Sequence, residues 1–372
     1  MRYYLIAGEA SGDLHGSNLV KALQLQDKDG VFQGWGGDLM TAAGVNITKH
    51  YRDLAFMGFY EVVKNISTIR ENFKVCKADI LAFRPDVVIL LDYPGFNLRM
   101  AKWIKEQNLK IVYYISPQIW AWHTSRVHNI KKLVDRMLVI LPFEKTFYQQ
   151  YNYEVDFVGH PLLDHLTHLP PADDFRIQHD LDDRPIIALL PGSRKQEIKK
   201  MLNGMLAVVD DFKDYQFIIA GAPAIPLTYY HSLIGQQNFS SASIPRIVNN
   251  QTYKLLSISH AALVTSGTAT LETALFGVPQ VVCYTGNPIS FQLARRLIKI
   301  KYISLVNLVL DYPLVTELIQ SDFNKKKITT ELNIILNENR RHKILAGYTE
   351  LRKALGEVGA SERAAAVILG LF

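Results

Sequence analysis

A short segment in the second half of the sequence has the residue types of an anion-binding loop. It reads PGSR, residues 191–194, and it joins an apolar run to an amphipathic one. Gly192 and Ser193 would expose backbone N–H groups at the start of a helix, where anions bind. Arg194 adds a guanidinium that can hold two oxygens of a phosphate at once. These residues predict a diphosphate site, and the weaker alternative is that Arg194 is only a surface residue.

A second segment of this kind, SGTATLE at 266–272, also follows an apolar run. Ser266 and Thr268 supply hydroxyl groups, and Gly267 lets the backbone approach a phosphate closely. Glu272 lies one to two helical turns further on, where a carboxylate can accept from both hydroxyls of a ribose. The two segments together therefore predict a nucleotide site in the second half of the chain.

Carboxylates follow two apolar runs in the first half. Asp92 ends the run VVILL at 87–91, so burial should raise its pKa and suit it to act as a general base. The alternative for Asp92 is an aspartate that caps a helix. Glu9 and Asp13 share a glycine-containing loop with Ser11, where they would repel a pyrophosphate but accept from sugar hydroxyls. An ordinary helix cap at Ser11 or Asp13 explains that loop equally well.

Two other segments allow two interpretations each. Residues 116–123, SPQIWAWH, predict either an aromatic platform for a sugar or acyl chain or two tryptophans buried in a wall. Residues 291–302 mix basic and large apolar side chains, as in a membrane-surface helix or an ordinary amphipathic helix. Residues 56–66 are a second apolar candidate for contact with lipid.

The apolar pattern predicts the scaffold that would bring these segments together. Short apolar runs alternate with amphipathic helices, as in βα units that build a parallel sheet. His, Pro and Asp dominate 163–183, which predicts an interdomain linker. We expect an α/β fold with two doubly wound Rossmann-like domains facing a cleft, one formed by 1–165 and the other by 166–344. Helices from about 345 to 372 could pack back on the first domain.

The pattern also predicts where individual elements lie. Helices are expected at 13–26, 38–43 and 58–83, and two or three more between 325 and 372. The predicted strands are 3–7, 31–35, 85–92, 110–115 and 136–141 in the first domain, then 185–190, 215–220, 246–248, 260–265 and 280–284 in the second.

Length and charge restrict the class of protein. The 372 residues are 48% hydrophobic and 20% charged, which describes a folded chain long enough for two cores. The net charge of +6 favours an anionic partner such as a nucleotide phosphate or an anionic membrane surface. Nucleic acid is disfavoured, because the basic residues are dispersed and no recognition motif is present.

Cysteine usage and the N-terminus predict the compartment. Cys76 and Cys283 are far apart, so neither a disulfide framework nor a zinc site is expected. Glu9 comes too early for a signal peptide, and the best candidate for a membrane span, 255–271, is diluted by serine and threonine. We expect a cytoplasmic protein that does not cross a membrane.

The motifs in their order resemble those of one enzyme family, the lipid A disaccharide synthases, which are glycosyltransferases of the GT-B fold. The resemblance runs from the first predicted strand to GASERAA at 359–365, essentially the whole chain. The segments that carry it are AGEASGD (7–13), GGDLMTAAG (36–44), FMGFYEVV (56–63), DYPGFN (92–97), SPQIWAW (116–122), FVGHPLLD (157–164), LLPGSRKQEI (189–198), SGTATLE (266–272), and NLVL with ELIQ (307–310, 317–320).

The resemblance implies an inverting hexosyl transfer. UDP-2,3-diacylglucosamine would donate its sugar to 2,3-diacylglucosamine 1-phosphate (lipid X), forming the β-1,6 lipid A disaccharide 1-phosphate and UDP. No metal-binding DxD motif is evident, so we expect neither a metal nor a cofactor. The implied setting is a Gram-negative cell, where the enzyme would lie in the cytoplasm, peripheral on the anionic inner membrane, with a homodimer left open.

The resemblance also assigns roles to particular residues. It implies that Asp92 is the general base, that Arg194 binds the diphosphate and that Glu272 binds the ribose. The remaining positions are Gly192, Ser193, Ser266, Gly267, Thr268, Asn307 and Gln320 on the donor side, and Glu9, Ser11 and Asp13 on the acceptor side. Asp38 stands where proline is frequent and Gly95 where an acid is common, which leaves acyl-chain selectivity open.

Overall fold

The computed structural model of the chain describes residues 1–54, 66–167, 174–240, 243–287, 291 and 300–372. It separates into two compact units, Met1–Thr167 with Leu355–Phe372, and His168–Ala354. The chain returns to the first unit at Leu355, ten residues beyond the start that the sequence suggested for the returning helices.

The first unit is built on a seven-stranded parallel sheet with the strand order β3-β2-β1-β4-β5-β6-β7. Its strands are β1 Arg2–Ala7, β2 Val31–Gly36, β3 Asn46–His50, β4 Val87–Leu91, β5 Lys110–Tyr114, β6 Arg136–Val139 and β7 Asp156–Phe157. Its helices are α1 Ala10–Gln26, α2 Asp38–Ala42, α3 Ile66–Phe83, α4 Pro94–Glu106, α5 Ile119–Trp122, α6 Val127–Leu133, α7 Pro142–Gln149 and α8 Leu162–Leu166.

The second unit repeats this plan with six parallel strands in the order β10-β9-β8-β11-β12-β13. The strands are β8 Ile186–Leu190, β9 Gln216–Gly221, β10 Arg246–Asn249, β11 Ser259–Thr265, β12 Gln280–Tyr284 and β13 Thr316–Ile319. The helices are α9 Phe175–Gln178, α10 Lys195–Leu206, α11 Leu227–Ile234, α12 Thr252–Ser257, α13 Thr268–Leu275, α14 Leu305–Leu310, α15 Lys325–Leu336 and α16 Glu338–Ala354.

These two parallel sheets confirm the predicted α/β class. All ten predicted strands are present, and β12 has the predicted bounds. The three strands that the sequence did not predict, β3, β7 and β13, lie at sheet edges. An edge strand has a neighbouring strand on one flank only and is less enclosed than an inner strand. Their short or polar sequences, NITKH, DF and TELI, therefore lack the continuous apolar pattern of inner strands.

Several predicted helix bounds change. Helix α1 begins at Ala10 rather than at 13. The short helix α8 overlaps the start of the predicted linker, and α9 lies within it. Of the helix predicted over 58–83, the structure describes 66–83 as α3, and the remainder lies outside the described residues. Among the helices that the structure describes, none is long and apolar enough to cross a membrane.

The inner strands are buried on both faces because helices cover each side of the sheet. In β4 the side chains of Val88 and Leu90 enter one core, and those of Val87 and Ile89 enter the other. The last helix, α17 Ala360–Leu369, packs beside α1 and contributes Ala364, Ala365 and Ile368 to the second of these cores. The C-terminal segment is therefore part of the first unit's hydrophobic core.

One carboxylate holds the start of α17. Asp164 accepts hydrogen bonds from the backbone N–H groups of Gly359 at 2.7 Å, Ala360 at 3.2 Å and Ser361 at 3.0 Å, and from the Ser361 hydroxyl. These N–H groups belong to the first turn of the helix and have no partner within it. Asp164 thus ties the C-terminal segment to α8.

We predict that Asp164→Ala lowers the free energy of unfolding by about 1–3 kcal/mol, because partly buried donors lose a charged acceptor. Urea unfolding followed by circular dichroism measures the change. Asp29→Ala, which removes an exposed aspartate from the same unit, is the matched control and should change stability by less than about 0.5 kcal/mol. Equal stability of the two variants would contradict the capping role.

Candidate functional site

Asp92 lies at the carboxyl end of β4, in a loop with an unusual backbone. Asp92 and Tyr93 both have left-handed conformations, with φ of 42° and 48°. Such conformations cost energy for residues other than glycine and persist where neighbouring groups enforce them. The Asp92 carbonyl accepts from the Tyr113 hydroxyl at 2.6 Å and from Asn97 Nδ2 at 2.8 Å. The loop thereby gives the Asp92 side chain a fixed position beyond the sheet.

Burial and a second acid raise the pKa of the Asp92 carboxyl. Desolvation is the larger cause, repulsion by Glu9 is the next, and together they raise the pKa to about 6. The same two causes raise the pKa of the neighbouring Tyr93 hydroxyl. The structure therefore brings together Glu9 and Asp92, which the sequence placed in separate loops.

Asn97 anchors this loop, and sequence reasoning gave it no role. Its side chain is completely buried, and Nδ2 donates to the carbonyls of Ile6 at 3.3 Å, Leu91 at 3.2 Å and Asp92. One amide group thus joins the ends of β1 and β4. An asparagine five residues after a strand-end aspartate is the only signal that the sequence offers for this contact.

The other residues of the first loop have different surroundings. The Asp13 carboxylate is buried and accepts from the N–H groups of Gly37 at 2.7 Å and Met40 at 3.0 Å, so it caps α2. Ser11 is exposed in the first turn of α1. Asp13 therefore shapes the turn after β2, and the acceptor-side roles of Ser11 and Asp13 stay predictions.

The PGSR loop of the second unit contains a charge that the sequence reasoning overlooked. Gly192 has a φ of 105°, and a Cβ there would overlap the Glu197 side chain. The Ser193 N–H donates to Glu197 Oε2 at 3.1 Å, while the Arg194 side chain is exposed beside them. Glu197 is the third residue of α10 after its cap, Arg194, so capping-box spacing was the available signal.

Two side-chain hydrogen bonds to backbone carbonyls hold the loop 266–268 in place. The Ser266 hydroxyl donates to the carbonyl of Ile303 at 2.8 Å, and the Thr270 hydroxyl donates to the carbonyl of Gly267 at 2.8 Å. Gly267 has a φ of 151° and open space where a Cβ would lie. Thr268 begins α13 and is exposed. Gly267 and Thr268 therefore remain accessible at the start of a helix.

Glu272 lies in the same helix and has a tyrosine partner. The Tyr253 hydroxyl donates to Glu272 Oε1 at 2.9 Å, and the Tyr253 ring stacks on Phe276. Burial raises the pKa of Glu272, which the Tyr253 hydrogen bond partly opposes. Nineteen residues separate Glu272 from Tyr253, so no local spacing in the sequence indicates their contact.

Asn307 belongs to the network that holds α14, whereas Gln320 contacts the loop after β12. Asn307 is completely buried, donates to Glu317 Oε1 at 2.9 Å and exchanges hydrogen bonds with the backbone of Val315. Glu317 also accepts from the N–H of Ser304, the cap of α14, at 2.8 Å. Gln320 has a φ of 54° and accepts from the Thr285 hydroxyl at 3.1 Å. Direct contact of Asn307 or Gln320 with a donor stays a prediction.

The two tryptophans of 116–123 differ in exposure. Trp120 Nε1 donates to Glu144 Oε1 at 3.3 Å, whereas Trp122 is 57% exposed. Most of the basic segment 291–302, and 56–65 of the apolar segment 56–66, lie outside the described residues. Within the described ranges, no group of three or more His, Cys, Asp or Glu side chains could hold a metal ion.

Comparison with known proteins identifies the family. The family model described as lipid-A-disaccharide synthetase matches residues 3–369. The chain belongs to this family. It is 39% identical to the lipid-A-disaccharide synthase of Syntrophus aciditrophicus (strain SB) over 99% of the chain and 97% of that protein. It is also 39% identical to the one from Coxiella burnetii (strain CbuG_Q212), with 99% and 98% covered.

A solved structure shares the fold. The UDP-GlcNAc 2-epimerase of Neisseria meningitidis, crystallised with UDP-GlcNAc, aligns over 100% of both chains with a TM-score of 0.69 at 13% identity. At that identity the likeness shows the fold alone. Membership of the lipid-A-disaccharide synthetase family makes the chain a glycosyltransferase of lipid A biosynthesis, with a UDP-sugar donor and a lipid acceptor.

Two glycines near Asp92 provide a matched pair of variants. A Cβ at Gly8 would overlap the Tyr93 ring, whereas a Cβ at Gly95 would meet nothing within 4 Å. We predict that Gly8→Ala lowers the free energy of unfolding by about 1–3 kcal/mol and slows sugar transfer, because Tyr93 must move. Gly95→Ala should preserve the free energy of unfolding. Thermal unfolding and a transfer assay measure the two effects, and equal behaviour of the variants would contradict the packing argument.

Proposed function

We propose that this enzyme transfers 2,3-diacylglucosamine from UDP-2,3-diacylglucosamine to the 6-hydroxyl of 2,3-diacylglucosamine 1-phosphate (lipid X). The products are the β-1,6 lipid A disaccharide 1-phosphate and UDP. Family membership over residues 3–369 supports the reaction. The observation that carries the mechanism is the Asp92 carboxyl, held at the end of β4 with its pKa raised to about 6.

In the proposed mechanism, the Asp92 carboxylate takes the proton of the acceptor 6-hydroxyl as that oxygen attacks the anomeric carbon. The bond from the anomeric carbon to the UDP oxygen breaks, and its electrons remain on the β-phosphate. Attack from the opposite face inverts the anomeric configuration in one displacement. A carboxyl whose pKa lies near the working pH is a stronger base than an ordinary aspartate and remains mostly ionised at neutral pH.

The second unit supplies the groups proposed for UDP. The exposed Arg194 and the N–H groups of the Gly192–Ser193 turn would stabilise the charge that develops on the diphosphate. The accessible start of α13 at Gly267 and Thr268 offers further donors to phosphate. Glu272, oriented by Tyr253, would accept from the ribose hydroxyls. This division assigns the acceptor to the first unit and the nucleotide to the second.

We further propose that the enzyme works on the cytoplasmic face of the inner membrane as a peripheral protein, since both of its proposed substrates carry acyl chains. A net charge of +6 supports attraction to an anionic surface. The resemblance allows a homodimer without requiring one, and the oligomeric state is not part of this proposal.

The test of the reaction is incubation with UDP-2,3-diacylglucosamine and lipid X, with disaccharide and UDP as products. We predict that Asp92→Asn slows product formation by about 10²–10⁴-fold while UDP binding is retained. The base must be ionised, so wild-type kcat/KM should fall as pH drops through about 6. Glu9→Gln should move this fall to lower pH, because it removes a charge that raises the pKa of Asp92.

Two results would contradict this proposal. Formation of an isomerised UDP-sugar without disaccharide would replace the transferase with an epimerase. A full rate of disaccharide formation by Asp92→Asn would remove Asp92 from the role of general base.

A second prediction concerns Glu197, whose carboxylate lies against the turn proposed for the diphosphate. We expect Glu197→Gln to tighten UDP binding up to about fivefold, since glutamine keeps a hydrogen-bond acceptor and removes a repelling charge. Titration calorimetry with UDP measures the change, and Glu338→Gln, an exposed acid at the start of α16, is the control. Weaker UDP binding by Glu197→Gln would show that the charge is needed to hold the loop.

A further inference from the structure

A cationic cavity of about 610 Å³ lies between α4 and α6 in the first unit. Arg99 and Lys102 line it from α4, and Arg126 and Lys132 line it from the start and end of α6. No carboxylate is among the residues lining the cavity in the described part of the chain. Four positive charges therefore surround one small concave space.

No acid in the described part of the chain forms an ion pair with these charges. Among the ion pairs that the structure describes, none within 4.0 Å includes any of the four cations. The contrast on the same helix is Lys105, whose ammonium lies 2.8 Å from Asp135. Like charges that share a cavity repel each other, and an anion in the cavity relieves that repulsion. The charge arrangement thus favours an anionic ligand.

The cavity is also partly apolar. Leu98, Ile130 and Leu133 line it between the two basic sides. Arg126 lies 6.0 Å from the ring of Trp122, which is 57% exposed at the adjoining surface. Exposed tryptophan beside arginine and lysine is typical of surfaces that contact the interfacial region of lipids. An apolar lining within a basic rim suits an amphiphile better than a free inorganic anion.

The cavity adjoins the candidate catalytic loop. Pro94 and Gly95, which follow Asp92 and Tyr93 directly, form part of its lining. The loops proposed above for the diphosphate belong to the other unit and contribute no residue to the lining of the cavity in the described part of the chain. We propose that the cavity between α4 and α6 binds the phosphate group of an acylated lipid. Its source is either a membrane phospholipid or the acceptor, and only the acceptor source rests on the function proposed above.

The test variant removes one cation from each side of the cavity, Arg99→Gln with Lys132→Gln. The matched control, Lys21→Gln with Lys28→Gln, removes two exposed lysines of the same unit that do not line the cavity. Both variants change the net charge equally, so a difference between them reports position rather than total charge. All four side chains are exposed, and circular dichroism checks that both proteins fold.

The first measurement is sedimentation of the full-length protein with vesicles of equal parts phosphatidylcholine and phosphatidylglycerol. If membrane phospholipid is the source, the cavity variant loses about 30-fold in partitioning, since each cation near an anionic surface contributes about fivefold. The control variant should lose much less. Vesicles of phosphatidylcholine alone should bind both variants equally.

The second measurement is equilibrium binding of lipid X in micelles of a neutral detergent, without donor and without turnover. If the acceptor phosphate is the source, the cavity variant loses a similar factor here while vesicle partitioning matches the control. Neither measurement requires catalysis, so a failure of the proposed reaction would leave both results interpretable. Equal behaviour of the cavity and control variants in both measurements would overturn the proposal.

Discussion

The amide of Asn97 connects the ends of β1 and β4 to the loop that carries the proposed general base, Asp92. β1 and β4 are adjacent parallel strands buried on both faces, and their carboxyl ends leave carbonyl groups that need donors. Asn97 Nδ2 donates to carbonyls on both strands and to Asp92 itself. The left-handed backbone at Asp92 and Tyr93 is costly, and this buried amide together with the Tyr113 hydroxyl holds it in place. These hydrogen bonds fix the backbone that carries the Asp92 side chain. They are made to the Asp92 carbonyl, so they do not use the oxygens of the carboxylate.

In the second unit, too, the groups proposed to contact a ligand are held by hydrogen bonds from residues that are not themselves proposed to bind it. Tyr253 holds Glu272, and Glu197 holds the Ser193 N–H. The Asn307–Glu317 pair holds the start of α14 in the same way. Asn307 is buried and Glu272 is partly buried, and polar groups in such places are stable only when their hydrogen bonds are satisfied, so these contacts restrict the positions of their loops. Loops at strand ends are thereby given defined shapes without regular secondary structure.

Much of the fold and part of the candidate site could be predicted from the sequence, for a physical reason. Inner strands such as VVILL must be apolar on both faces, so they are recognisable locally, whereas edge strands such as NITKH are not. The placement of Asp92 at a strand end follows from the same local pattern. The preference of Asp13 for the α2 N–H groups could not be predicted, because its partner turn lies more than twenty residues away. This contact depends on the relative position of two βα units, which no local spacing in the sequence gives.

The sequence by itself determined the α/β class, the order of the motifs and the membership of the lipid-A-disaccharide synthetase family. Each depends on residue types and on their spacing along the chain, and neither of these changes with the contacts that the folded chain makes. Only the tertiary structure decided that Glu9 raises the pKa of Asp92, that Tyr253 meets Glu272, and that the cations of α4 and α6 share one cavity. Electrostatic and hydrogen-bond energies depend on distances of a few ångströms between groups distant in sequence, and those distances arise only when the helices pack on their sheets.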